Sequence, residues 1–244
     1  DHPNIKAVAF VGSTTVAKIV YSRSTANGKR AICLGGAKNH MIVVPDADQD
    51  STAKGLLASS MGSAGQRCMA ASVAVGVADV DPIIDQLVEE AKIYKLGVDM
   101  GTIVSKAALD RITNYIDEAE KMGAKILIDG RNSTPPEGYE DGYWLGATIL
   151  DWVDPDWPSA KEEIFGPVLS IIRTSTLEDA MKIENGNQYG NAAAVFTTSG
   201  QVAKTISESA SAGMIGINIG VPVPREPYSF GGWNESKYGH GDIT

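Results

Sequence analysis

The sequence predicts an α/β fold: an open, twisted, mostly parallel sheet with helices on both faces. Two observations predict it. Short apolar runs alternate with segments of helical periodicity along nearly the whole chain, as strands joined by crossover helices do. Several of those runs stop at glycine, proline or small-residue turns, so strand ends can be placed. No internal repeat or low-complexity tract interrupts the pattern.

The elements follow in order. Ala7 to Val11 reads as a buried strand that ends at Gly12-Ser13-Thr14 and feeds a helix from Val16 to Ser24. Ser13 or Thr14 is placed to cap that helix. Asn27-Gly28 breaks the chain, Arg30 to Leu34 forms a second strand, and Gly35-Gly36 ends it. Met41 to Val44 is a third strand, stopped by Pro45-Asp46, and Asp50 to Ser60 is a helix. The turn Gly62-Ser63-Ala64-Gly65 leads to Cys68, and Val73 to Val77 is a strand. Pro82 to Tyr94 is a helix with Ile83, Ile84, Leu87, Val88 and Ala91 on one face. Leu109 to Met122 is another, with Ile112, Tyr115, Ile116 and Ala119 at helical spacing. Ala124 to Ile128 is a strand, and the polar segment 129–142, with Pro135-Pro136, is an exposed loop. Strands at Trp144 to Leu150, Val168 to Ile172, Ala192 to Thr197 and Ile215 to Ile219 complete the set, with helices at Leu177 to Glu184 and Val202 to Ala210 between them.

Composition narrows the function. With 244 residues, 43% of them hydrophobic, the chain can bury a substantial core. A net charge of -9 and no block of Lys or Arg argue against nucleic acid and anionic membrane surfaces as partners. An anionic substrate would need a local cationic contact. Two cysteines give no disulfide framework, and a reducing compartment fits: the cytoplasm, or the mitochondrial matrix in a eukaryote. No metal site, signal peptide or membrane span is expected. The start at Asp1-His2-Pro3 suggests processing, proteolysis or engineering.

The candidate nucleophile is Cys68. After a glycine turn and before a buried strand, it can be presented to a cleft. The ordinary reading of a lone Cys is a buried structural residue. Arg67 favours reactivity, because a neighbouring cation stabilises thiolate. No His lies near it in sequence, so a papain-like pair is unsupported.

Six segments in order change the weighing. They are Phe10-Val11-Gly12-Ser13-Thr14, Leu34-Gly35-Gly36, Gly65-Gln66-Arg67-Cys68, Glu162-Glu163-Ile164-Phe165-Gly166-Pro167, Tyr189-Gly190-Asn191-Ala192-Ala193-Ala194-Val195-Phe196-Thr197 and Met214-Ile215-Gly216-Ile217-Asn218. Together they resemble the cofactor turn, nucleophile and cofactor-carboxylate motifs of the aldehyde dehydrogenases. Ser63 to Ala70 and Leu34 to His40 are similar, more narrowly, to the CoA-acylating methylmalonate-semialdehyde dehydrogenases.

The resemblance implies roles. Cys68 attacks the aldehyde carbon, gives a thiohemiacetal and, after hydride leaves to NAD or NADP, a thioester. Its backbone N–H is an oxyanion donor, and losing such a donor costs on the order of 3 kcal/mol in barrier. Gly12 and Ser13 contact the cofactor pyrophosphate at a helix N-terminus, where backbone N–H groups are free. The other reading of Ser13 is a plain helix cap, and the two are compatible. Leu34 and Phe165 border the cofactor, and Glu163 binds the nicotinamide ribose. Arg67 holds the substrate carboxylate; the alternative is a structural salt bridge. His40 is read as structural.

Two departures carry information. Hydrolytic relatives place a Glu before Leu-Gly-Gly to activate water. Here that place falls on Cys33, or on Leu34 if counted back from Lys38. Neither is a base, whereas a thiol of pKa about 8.5 needs none to supply some thiolate. A thiol acceptor, coenzyme A, is therefore expected, with (methyl)malonate semialdehyde as substrate and loss of CO2. Phe230-Gly231-Gly232-Trp233-Asn234-Glu235-Ser236-Lys237 instead resembles general members. The alternatives are a hydrolytic or other CoA-acylating aldehyde dehydrogenase and, in another class, a non-catalytic fragment or scaffold.

By resemblance, residues 1–34 are the end of a dinucleotide-binding domain and 35–244 a catalytic domain, truncated at both ends. The upstream oxyanion Asn and most cofactor contacts then lie outside the chain. The chain alone is expected to be inactive, and the full-length enzyme to be a homodimer or homotetramer.

Overall fold

The structure is a computed structural model, and it describes residues 1–241. The chain order is β1 (Ala7–Val11), α1 (Thr14–Ala26), β2 (Arg30–Leu34), β3 (Asn39–Val43), α2 (Gln49–Met61), β4 (Ala71–Val77), α3 (Asp81–Lys92), α4 (Lys106–Met122), β5 (Lys125–Ile128), β6 (Thr148–Asp151), α5 (Pro158–Lys161), β7 (Val168–Thr174), α6 (Leu177–Asn185), β8 (Tyr189–Gly190), β9 (Ala192–Phe196), α7 (Gly200–Ser209), β10 (Met214–Ile217), β11 (Trp233–Asn234) and β12 (Lys237–Tyr238).

A seven-stranded sheet runs in the order β10-β9-β3-β4-β7-β6-β5. Its pairs are parallel except the last, β6 with β5. The expected mostly parallel sheet is therefore present. All five residues of β3 and of β9 are buried, as strands covered on both faces must be. Both α2 and α6 pack on β4 and β7, and α3 packs on α2. The helices bury the faces their periodicity marks: Ile83, Ile84, Leu87 and Ala91 on α3, and Ile112, Ile116 and Ala119 on α4. Val88 and Tyr115, assigned to the same faces, are half-buried at their margins.

A smaller sheet holds β1, β2 and β12. β1 and β2 run parallel, and β12 returns from the far end of the chain to pair antiparallel with Cys33 and Leu34. The site lies where the C-terminal ends of β1 and β2 meet the N-terminal ends of β3, β4 and β7.

Several expected boundaries shift. The strand expected from Trp144 begins only at Thr148, because Gly146 leaves the extended path to donate to the Gly130 carbonyl at 3.0 Å. The strand expected to reach Ile219 ends at Ile217. Asn218 turns left-handed, at φ 54°, and its side chain takes both backbone groups of Thr197 at 2.9 Å. That clamp also ends β9 one residue before Thr197. Ser13 occupies the N-cap of α1 but its side chain caps nothing. Thr14 does not cap either: its hydroxyl accepts from Gly36 N at 2.8 Å and lies 3.3 Å from the Glu235 carbonyl. No helix among the described residues is long and apolar enough to cross a membrane.

Candidate active site

Cys68 is positioned by the turn before it. Ser63, Ala64 and Gly65 are consecutively left-handed, at φ 56°, 53° and 66°. Gly65 is required twice over, by that φ and by contact: a Cβ there would lie 2.0 Å from the Gly166 carbonyl oxygen. The nucleophile turn is thus docked backbone to backbone on the segment carrying Glu163 and Phe165. Gln66 anchors it from the other side, accepting from Val104 N at 2.9 Å and donating to the Thr102 carbonyl at 3.0 Å.

The convergence is on one cavity of about 570 Å³, lined by Val11, Gly12, Ser13, Gly35, Cys68, Arg111, Glu163 and Phe165. Five residues singled out in the sequence therefore share one wall: Gly12, Ser13, Cys68, Glu163 and Phe165. Leu34 stands behind it, nearly buried, its carbonyl accepting from Gly12 N at 3.1 Å. Cys33 is fully buried on β2 and lines no part of the cavity. Among the described residues, Glu163 is the only carboxylate in that lining.

Glu163 accepts from Ala37 N at 2.9 Å. Burial lifts its carboxyl above the usual range, against that hydrogen bond and the charges of Lys38 and Arg111. The approach is close, since a Cβ on Gly36 would lie 2.7 Å from Glu163 Oε2. Phe165 is partly exposed to the cavity in a left-handed conformation, φ 55°. Such a backbone costs an aromatic residue about 1–3 kcal/mol and is typical of functional sites.

Burial also pushes the Cys68 thiol up, and Glu163 adds to the effect. The backbone N–H groups of Cys68 and Met69, and Arg67, pull the other way without reversing it. The thiolate-favouring effect expected of Arg67 is present but outweighed. Arg67 itself turns aside: its guanidinium donates to the carbonyls of Ala58 at 2.7 Å and Ser59 at 3.0 Å, in the last turn of α2. A cation is favourable there. Arg67 is not in the lining of the large cavity and borders a small crevice of about 10 Å³ that it shares with Cys68, Glu163 and Phe165. His40 is buried in β3, its Nδ1 2.9 Å from the Lys38 carbonyl, and burial lowers its pKa to about 4. It is neutral and structural, in a strand.

The model of the aldehyde dehydrogenase family matches residues 1–244. The chain belongs to the aldehyde dehydrogenase family. A malonate-semialdehyde dehydrogenase of Pseudomonas aeruginosa is 43% identical over 97% of this chain and 49% of its own length. The mitochondrial, acylating methylmalonate-semialdehyde/malonate-semialdehyde dehydrogenase of Rattus norvegicus is 43% identical over 97% of this chain and 45% of its own. A crystal structure from Sinorhizobium meliloti, named for methylmalonate-semialdehyde dehydrogenase and complexed with NAD, superposes with a TM-score of 0.96 at 44% identity, over 99% of this chain and 50% of that one. The chain thus spans about half the length of the curated relatives it matches.

Three residues at this cavity and the turn beside it escaped the sequence reading. Arg111, from α4, lines the cavity and donates to the Ile164 carbonyl at 2.7 Å, bracing the Glu163–Phe165 segment. Asn39 and Asn191 bond to the nucleophile turn from behind. Asn191 stood inside a quoted motif, but nothing in the pattern says where its amide points.

Proposed function

We propose that the complete protein oxidises an aldehyde through Cys68, with NAD as hydride acceptor, and that these 244 residues form its nucleophile-bearing half. The observation that carries the reading is the convergence of Cys68, Glu163, Phe165, Gly12 and Ser13 on one cavity. The cavity suits a dinucleotide end: glycine and serine at the start of α1 can meet an anion, the buried Glu163 carboxylate can accept from ribose hydroxyls, and Phe165 offers an aromatic wall. NADP is the alternative hydride acceptor.

Cys68 Sγ, losing its proton, bonds to the aldehyde carbon and gives a thiohemiacetal, whose oxygen the Cys68 N–H can hold. Bound NAD would supply the hydride acceptor for that carbon. Cys68 is left as a thioester. The thiol of coenzyme A then attacks the acyl carbon, Cys68 leaves as thiolate, and the acyl group departs on sulfur. The acylating name of the rat relative supports this acceptor. So does the lining of the cavity, where β2 supplies no carboxylate base for water. The names of the relatives support malonate or methylmalonate semialdehyde, with loss of CO2.

Leu34 would shape the wall through Gly12, and Arg67 would have to leave the end of α2 to reach a substrate carboxylate. We place a domain boundary at 34/35, a reducing compartment around the protein, and a homodimer or homotetramer as its assembly. The test is to incubate the full-length protein with malonate semialdehyde and NAD, omit coenzyme A, and map adducts by mass spectrometry. An acyl group on Cys68 supports the reading; an adduct on Cys33, or none, overturns it.

A further inference from the structure

Two buried amides grip the nucleophile turn. Asn39, 1% exposed at the start of β3, donates from Nδ2 to the carbonyls of Cys68 and Ala70, each at 2.8 Å. Its Oδ1 accepts from Ala192 N at 3.1 Å and from Asn191 Nδ2 at 3.3 Å. Asn191, 6% exposed, donates to the same Cys68 carbonyl at 3.0 Å and approaches the Met69 sulfur at 3.1 Å. One carbonyl oxygen therefore takes two amide donors, and those donors are tied to each other.

That arrangement has a consequence at the far end of the same peptide. The Cys68–Met69 peptide is planar and trans, so its C=O and N–H point in opposite directions. Fixing the oxygen fixes the line of the Met69 N–H, and two donors on the oxygen polarise that N–H further. The Met69 N–H is one of the two backbone N–H groups that favour the Cys68 thiolate against the thiol.

We propose that Asn39 and Asn191 are positioning residues that aim the Met69 N–H at Cys68 Sγ and so stabilise the attacking thiolate. The inference rests on reading Cys68 as the nucleophile. It gives the amide of Asn191 a task that an aliphatic residue of the same size could not perform.

The test compares Asn191→Leu and the smaller Asn191→Ala with wild type in the full-length protein. Iodoacetamide alkylation of Cys68 is followed against pH by peptide mapping, the NADH burst by stopped flow, and folding by thermal melts. The alkylation midpoint should move to higher pH, and the burst should slow about tenfold, the scale of one hydrogen bond to a charged group. KM values for aldehyde and NAD should stay near wild type. Where Asn191→Leu does not fold, Asn191→Ala, which brings in no branched side chain, supplies the readout. Folded variants with a lower melting temperature but the wild-type midpoint and burst would overturn the proposal and leave these amides merely structural. A wild-type protein that forms no acyl adduct sinks the nucleophile reading instead, and the alkylation midpoints still decide whether the amides tune the thiol.

Discussion

At Cys68 two influences oppose each other: desolvation favours the thiol, and the local N–H groups and Arg67 favour thiolate. Desolvation wins, so the thiolate fraction at neutral pH is smaller than for a free thiol. Alkylation of Cys68 should therefore keep rising with pH beyond the range of an ordinary cysteine, while Cys68→Ser should abolish both labelling at this site and the NADH burst. A midpoint at or below that of free cysteine would contradict this balance. Glu163→Gln keeps the shape but removes the charge, and should raise KM for NAD by about tenfold, the scale of one charge-assisted hydrogen bond, with little change in melting temperature. At this scale the sequence was informative about which residues come together. Gly12, Ser13, Cys68, Glu163 and Phe165 were read that way and share the cavity. Arg111 and Asn39 were not, because α4 and β3 bring them in from elsewhere in the chain. Arg67 shows the limit of adjacency: it is next to Cys68 in sequence, yet its guanidinium is held by the end of α2.

Elements with a long apolar period were legible. The stripes of α3 and α4 predicted their buried faces, and the apolar runs of β1, β2, β4 and β7 predicted strands, although β1, expected to be buried, is exposed or half-buried at every position because it lies at the edge of its sheet. Elements of two residues, β8, β11 and β12, have no period to read, and their pairing is set by partners 43 or more positions away, as with Trp233 on Gly190. The start of β6 was missed because the backbone contact between Gly130 and Gly146 has no sequence period either. The left-handed run before Cys68 is the element on which the site depends most. Gly65→Ala should lose both stability and activity: the positive φ alone costs roughly 1 kcal/mol or more, and the new Cβ forces the turn away from Gly166. Urea melts and NADH bursts check it. A Gly65→Ala protein with wild-type stability and burst would show that the two segments are not docked as described.

Across the whole molecule, the two larger sheets meet at their strand ends, and the buried Lys38, Asn39 and His40 lie at that junction. Lys38 is fully buried, its Nζ has no hydrogen-bond partner among the described residues, and burial lowers its pKa to about 7 despite the nearby Glu163 and Glu162. His40, beside it, has a pKa of about 4 against an ordinary 6.5. A base whose folded pKa is depressed contributes stability that is fully present above its unfolded pKa and is lost as pH falls toward the folded one. The His40 contribution should therefore fade between pH 6.5 and about 4, by on the order of 3 kcal/mol. Wild type should lose more stability across that window than His40→Gln, as read by urea melts at each pH; parallel profiles would contradict the neutral, buried imidazole. The central claim is acylation of Cys68 followed by thiolysis, and single-turnover kinetics on the full-length protein with malonate semialdehyde, NAD and varied coenzyme A test it most directly. The account predicts a fast burst of NADH, then steady turnover that rises with coenzyme A. No burst, or turnover indifferent to coenzyme A, would contradict it.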